Sequence, residues 1–201
     1  TARWTGGTSN DWGTSGNWAN GSSEPNDVVN GSGQPTSCAS ILLDGGTTSP
    51  MQRTVSLANN YAVTGITFNS AAGANSLSLT RSGASVLTLG EAGLVNRDDS
   101  AQTIDLPVTL RSSQRWDVGA GGLMTTAQGT INLGNSHLLV IDGAGDTLLG
   151  GAIIGGDAAS GIAKDGAGTL TLGNASNSYS GPTFIHNGIL RIGSMGSIGS
   201  G

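Results

Sequence analysis

Gly161-Ile162-Ala163-Lys164-Asp165-Gly166-Ala167-Gly168-Thr169-Leu170-Thr171-Leu172-Gly173, followed by Asn177-Ser178-Tyr179-Ser180-Gly181-Pro182-Thr183-Phe184-Ile185 and Gly188-Ile189-Leu190-Arg191-Ile192-Gly193, is the stretch that decides the fold. Short runs of alternating apolar residues are cut at close intervals by Gly, Asn and Ser. Alternation sends Leu170 and Leu172 to one face of a strand and Thr169 and Thr171 to the other. The glycines and asparagines between the runs turn the chain. No helix of ordinary length fits between such breaks, so the segment reads as coiled β-strand.

The same pattern extends upstream. Ile41-Leu42-Leu43, Arg53–Leu57, Val63–Phe68, Leu77–Thr80, Val86–Leu89, Gln102–Leu106 and Val108–Leu110 read as strands. So do Arg115–Val118, Gly129–Leu133, His137–Ile141, Thr147–Leu149, Ala152–Ile154, Thr169–Leu172 and Ile189–Ile192. Apolar runs recur at roughly 20 residues, the length of one coil in many solenoids. Leu87 to Leu106, Leu148 to Leu170 and Leu170 to Ile189 illustrate the spacing. Sandwiches also space their strands evenly, but 35 glycines in 201 residues favour a solenoid. Seven or eight coils at ~4.8 Å each predict a rod of roughly 35–40 Å.

Residues 1–30 differ from the rest. Trp4, Trp12 and Trp18 stand among Gly, Asn and Ser. They are predicted to form a cap or joint at the end of a solenoid spanning residues 31–201. A first rung exposes an apolar cross-section and unpaired strand edges, and indole rings are large enough to cover them. Contact with a glycan is the other role open to these three rings. The opening Thr1-Ala2-Arg3-Trp4 reads as folded sequence just after a cleavage site. The ending Gly193–Gly201 reads as the link from one repeat to the next, in a longer chain or in a short one whose open last rung needs a partner.

Residues 161–193 resemble the passenger-associated β-strand repeat of bacterial autotransporters. Gly161, Ile162, Lys164, Gly166, Gly168 through Leu172, Asn177, Tyr179, Ser180, Gly181, Thr183, Ile185, Gly188 and Leu190 carry the resemblance. Ser178, where Thr is usual, and Pro182 depart from it. Leu87–Asn96 is similar to the looser repeats found upstream in such passengers. The resemblance implies an all-β, right-handed parallel β-helix exported to the bacterial cell surface. It names no biochemical activity.

Composition narrows the function. Charged residues make up 10% of the chain and the net charge is −5, with Lys164 the only lysine. Nucleic-acid binding needs clustered cations, and so does a polybasic membrane-surface module. No apolar run approaches the ~20 residues of a membrane-spanning helix. Cys38 is the single cysteine, so neither an internal disulfide nor a zinc site built on cysteine pairs can form; the thiol is expected to be buried, with intermolecular pairing the alternative.

Candidate catalytic groups are sparse. Ser136, His137 and Asp142 lie close in sequence, but a triad must converge in space. His137 opens an apolar strand, and His186 precedes an Asn-Gly turn. Asp98 and Asp99 share a polar loop, and Asp105 and Asp117 fall on successive predicted strands where stacked carboxylates would repel. All four read as solvated acids rather than a glycosidase pair. Asp142-Gly143-Ala144-Gly145-Asp146 lacks the repeated array of calcium-binding β-rolls. Gly119–Gly122 lacks the Lys-Ser/Thr of a phosphate loop. Asn20, Asn30 and Asn174 match the N-glycosylation pattern.

The expected function is therefore a non-catalytic structural or adhesive segment, outside the cell or on its surface, with no cofactor. Its expected partners are surface glycans, a host or neighbouring cell surface, or further copies through the solenoid ends. One alternative is a fibre subunit stacking head to tail. Another is a carbohydrate-binding or polysaccharide-degrading β-helix.

Overall fold

A computed structural model describes residues 2–5, 9–18, 40–43, 54–69, 76–193 and 198. Cys38, the boundary between cap and solenoid near residue 30, Asn20 and Asn30 lie outside the described residues. The chain winds as a three-faced parallel β-solenoid. One face carries β1 (Ala2–Trp4), β2 (Ser40–Leu43), β4 (Tyr61–Phe68), β6 (Leu87–Asn96), β9 (Gln114–Val118), β12 (Leu138–Gly143), β15 (Gly161–Lys164) and β17 (Thr183–Ile185), paired in that order. The second is a seven-stranded sheet of β3 (Thr54–Leu57), β5 (Ser78–Arg81), β7 (Ala101–Asp105), β10 (Leu123–Thr126), β13 (Asp146–Leu149), β16 (Thr169–Leu172) and β18 (Ile189–Ile192).

The third face is narrower. It consists of the leading halves of β4 and β6, then β8 (Val108–Leu110), β11 (Ile131–Asn132) and β14 (Ile153–Ile154). Ser178 continues it, donating its N–H to the Ile153 carbonyl at 2.8 Å. β4 and β6 are long because each bends around a corner from the third face to the first, with a register shift between Val63 and Gly65. Gly93, at φ +59, lies where any Cβ would run into the Arg115 carbonyl of the next coil. Only glycine turns that corner.

Every strand pairing is parallel, and register partners such as Ile131 and Ile153 give a coil of about 22 residues. Because the register is exact, inward side chains stack into columns along the axis. Ile41, Ile66, Leu94, Trp116, Ile141 and Lys164 form one. Leu79, Ile104, Thr126, Leu149, Leu172 and Ile192 form another. The alternation of buried and half-buried residues in β13 and β16 is the sequence alternation made physical. One continuous apolar cluster runs from Trp4 to Tyr179, and full burial of each Leu or Ile contributes about 1.5–3 kcal/mol.

The architecture is the expected one, but the register corrects three spacings. Leu170 pairs with Thr147 and Leu190, not with Leu148 and Ile189. Leu87 pairs with Val108, not Leu106. A slip of one residue would turn every side chain to the other face, and the true register places Thr147 inside and Leu148 on the half-buried outer side. β1 and β10 escaped the sequence reading. β10 (Leu-Met-Thr-Thr) is a weak strand by composition and forms because β7 and β13 flank it in register. Among the described residues the only helix is a single 3-10 turn, Ser15–Asn17.

Two inward hydroxyls, on Thr126 and Thr147, are buried without a hydrogen-bond partner. Thr147 sits between Met124 and Leu170. A buried unpaired hydroxyl costs about 1–3 kcal/mol. Thr147→Val is therefore expected to stabilise the fold by about 1 kcal/mol, read as a raised midpoint in thermal unfolding followed by circular dichroism. A lowered midpoint would show that the hydroxyl is satisfied.

Candidate functional site

The first and last described coils are built differently. At the N-terminal end Trp4, Trp12 and Trp18 are 1%, 0% and 3% exposed. Trp18 meets Trp4 edge-on at 5.0 Å and Trp12 edge-on at 4.9 Å, and Trp12 packs against Tyr61 of the solenoid at 5.5 Å. Such edge-to-face pairs are favoured by the ring quadrupole. Trp18 Nε1–H donates to the Trp12 carbonyl at 2.8 Å. Buried Asn17 holds the cap loop, accepting from Ser9 N–H at 2.8 Å and donating to the Asp11 carbonyl at 2.8 Å. The loop also covers strand edges: Trp12 and Ser56 N–H groups bond to Ser56 and Asn10 carbonyls at 2.9 and 2.7 Å on β3, and Trp4 bridges Trp18 beyond β1.

At the other end β17 and β18 are the last strands of their sheets. Phe184, Ile185, Ile189 and Ile192 are 45%, 54%, 56% and 41% exposed, and with Ile198 they are the exposed large hydrophobic residues among those described. Ile185 and Ile192 stand directly above Lys164 and Leu172 in the inner columns. They continue those inner columns on the last described strands.

Lys164 is the one cation in those columns. Its side chain is buried above Ile141, and its ammonium donates to the Gly166 carbonyl at the corner of its own coil. Burial lowers its pKa, while Asp165 and Asp146 oppose the shift.

A polar strip runs along the outside of the first sheet. Asp117 pairs in register with Asp142, and the next coils place Asp165 and His186 in the same row. Arg115 forms an ion pair with Asp142 and reaches Asp165 at 3.9 Å. His186 Nδ1 lies 2.6 Å from Asp165, and its ring stacks on Phe184. The expected stack of Asp105 on Asp117 does not form, because Asp105 lies on the second sheet beside Thr80. The acids on the first sheet stack instead around a shared guanidinium, which offsets their repulsion.

The other candidates fall apart in space or take structural roles. Ser136 does not reach His137; the His137 ring contacts the Leu133 carbonyl at 2.9 Å. Asp98 is buried rather than solvated: its carboxylate accepts from Ser100 N–H at 2.8 Å, and its own N–H donates to Asn96 at 3.0 Å. Asp99 is exposed. Gly119–Gly122 closes a turn, with Gly122 N–H bonded to the Gly119 carbonyl at 3.0 Å. Asn174 donates its side-chain amide to the Gly150 carbonyl at 3.1 Å. No group of three or more metal-ligating side chains occurs among the described residues, and no helix there is long and apolar enough to cross a membrane.

The group missed in the sequence is Asp157. Its carboxylate accepts from the Ser160 hydroxyl at 2.6 Å, the Ser136 hydroxyl at 2.8 Å and the Ser136 N–H at 2.9 Å. These bonds hold Ser136 at φ +60, where a non-glycine residue is uncommon. The two Ser136 bonds join loops one coil apart, while Ser160 lies three residues from Asp157. No short-range pattern marks such a contact.

With this geometry in hand, comparison with known proteins is specific. The family described as passenger-associated-transport-repeat matches residues 162–192, which span β15 to β18. These strands are the repeat inferred from the sequence. Over 137 residues, or 63% of the chain, the sequence is 32% identical to the adhesin BmaC autotransporter of Brucella suis biovar 1 (strain 1330). The chain spans 4% of the length of that relative. No solved structure matches.

The Asp157 hydrogen bonds lower its pKa from 3.8 to about 2, the Ser160 hydroxyl contributing most. A carboxyl lowered on folding stabilises the fold above its unfolded pKa and loses that contribution as pH falls through its folded one. Urea denaturation between pH 4 and pH 2, roughly the window from the two values, is expected to show falling stability in the native chain and a flatter profile in Asp157→Asn. Equal slopes would remove Asp157 from the linkage.

Proposed function

We propose that this chain is a non-catalytic, extracellular β-solenoid segment of a bacterial adhesive passenger, a rigid rod that carries loops and faces away from the cell surface. The observation that carries this reading is the passenger repeat forming the last coils of a continuous solenoid. The match to an adhesin autotransporter supports it, as do the sparse charge, the separation of Asp105 from Asp117 and the separate hydrogen-bond partners of Ser136 and His137. The rod's task is mechanical: register and column packing keep it straight, and the outer rows are free to vary.

Beads coated with the purified chain are expected to adhere to epithelial or bacterial cell layers, and soluble chain is expected to compete. Adhesion no greater than that of albumin-coated beads would overturn the adhesive part of the reading. Hydrolysis of a polysaccharide panel, abolished by replacing a single acid, would overturn the non-catalytic part.

A further inference from the structure

The third face of the solenoid carries a groove that none of the candidate residues foreshadowed. Its volume is about 470 Å³, within the range of small-molecule sites. Asn132, Ile154 and Ser178 form its floor, one above the next on successive coils. Asn135, Gly134 and Gly156 form its wall.

The recess is created by residues that lack side chains. A Cβ on Gly156 would run into the Asn135 side-chain oxygen, and Gly134 at φ +68 would strain any other residue. Peptide groups are thereby left accessible in the wall. Asn132 spends its oxygen on the Gly134 N–H at 2.9 Å and keeps its NH₂ group. The Asn135 amide and Ser178 hydroxyl form no hydrogen bond among the described residues.

The rim is pinned. Asp157, next to Gly156, ties Ser136, next to Asn135, at two points, and Ser160 ties both Asp157 and the Gly134 carbonyl, the latter at 2.8 Å. Strain of the kind held at Ser136 persists only where surroundings over-determine it, and it concentrates at binding and switch regions. A preorganised rim lowers the entropy lost when a ligand is held.

We infer that this groove binds an uncharged oligosaccharide lying along the solenoid axis. Amide, hydroxyl and peptide groups offer donors and acceptors together, as sugar hydroxyls require. No lining side chain is charged, so an anionic sugar or an acidic peptide finds no counter-charge in it. Ile154 supplies an apolar patch for a ring face. Coils advance by about 4.8 Å, close to the step of one pyranose, so successive rings fall on Asn132, Ile154 and Ser178 in turn. The inference rests on the adhesive reading for its biological role and names the ligand class through which adhesion would act.

The test uses four probes at millimolar concentration: cellotetraose, mannotetraose, N-acetylchitotetraose and, as the charged comparator, a heparin-derived tetrasaccharide. Amide chemical shifts of the ¹⁵N-labelled chain are followed by titration. At least one neutral tetrasaccharide is expected to shift Gly134, Gly155 and Gly156. Asn135→Ala, on an exposed residue, is expected to weaken binding at least tenfold with the unfolding midpoint unchanged. Asp157→Asn is expected to weaken it several-fold by loosening the rim. No shifts from any neutral probe, shifts from the heparin fragment alone, or a neutral probe bound equally by Asn135→Ala would each overturn the inference. Bead adhesion that survives Asn135→Ala would overturn this groove as the adhesive contact and leave the adhesive reading standing. Sugar binding without bead adhesion would do the reverse.

Discussion

Everything in this molecule depends on parallel register between successive coils. Once Ile131 faces Ile153 and Leu149 faces Leu172, backbone hydrogen bonds run along the axis, inward residues fall into columns and outward residues fall into rows. A slip of one position would exchange the inward and outward residues of every strand. Such a rod gains stability mainly between neighbouring coils, so a weak coil persists if its neighbours are strong. β10, with two threonines in its four residues, exists on those terms.

A first coil exposes an apolar cross-section and unpaired strand edges. The Trp cluster covers the first coil by shape, while the Ser56 bonds and the Trp4–Trp18 bridge cover the strand edges. The strands of residues 162–192 repeat the internal pattern, with Ile185 and Ile192 at column positions. The corners between faces are set by close backbone approach, as at Gly93, which accounts for much of the glycine content.

Rows on the outside turn the same register into chemistry. A side chain repeated at one position of each coil becomes a line of like groups at the strand spacing. The acid row of the first sheet is stable because Arg115 serves two of its carboxylates. On the third face, residues without charge and residues without side chains together give a recess with a fixed rim.

The sequence by itself determined the fold class, most of the strands, the aromatic cap and the repeat in residues 161–193. Each is written in local periodicity, in the glycine and asparagine breaks or in a contiguous motif. Register was not legible to the residue, because Leu148 and Thr147 both fit a 20-odd-residue spacing and only pairing with Leu170 decides between them. Tertiary structure alone placed Lys164 inside the core, buried Asp98, separated Asp105 from Asp117 and brought Asp157 to Ser136. Those contacts join residues of different coils, or depend on which face a corner leaves open. The Asp157–Ser136 contact arises between neighbouring coils, and no window of sequence narrower than a coil contains it, whereas the bonds of Asp98 and Lys164 are local and only their burial is tertiary.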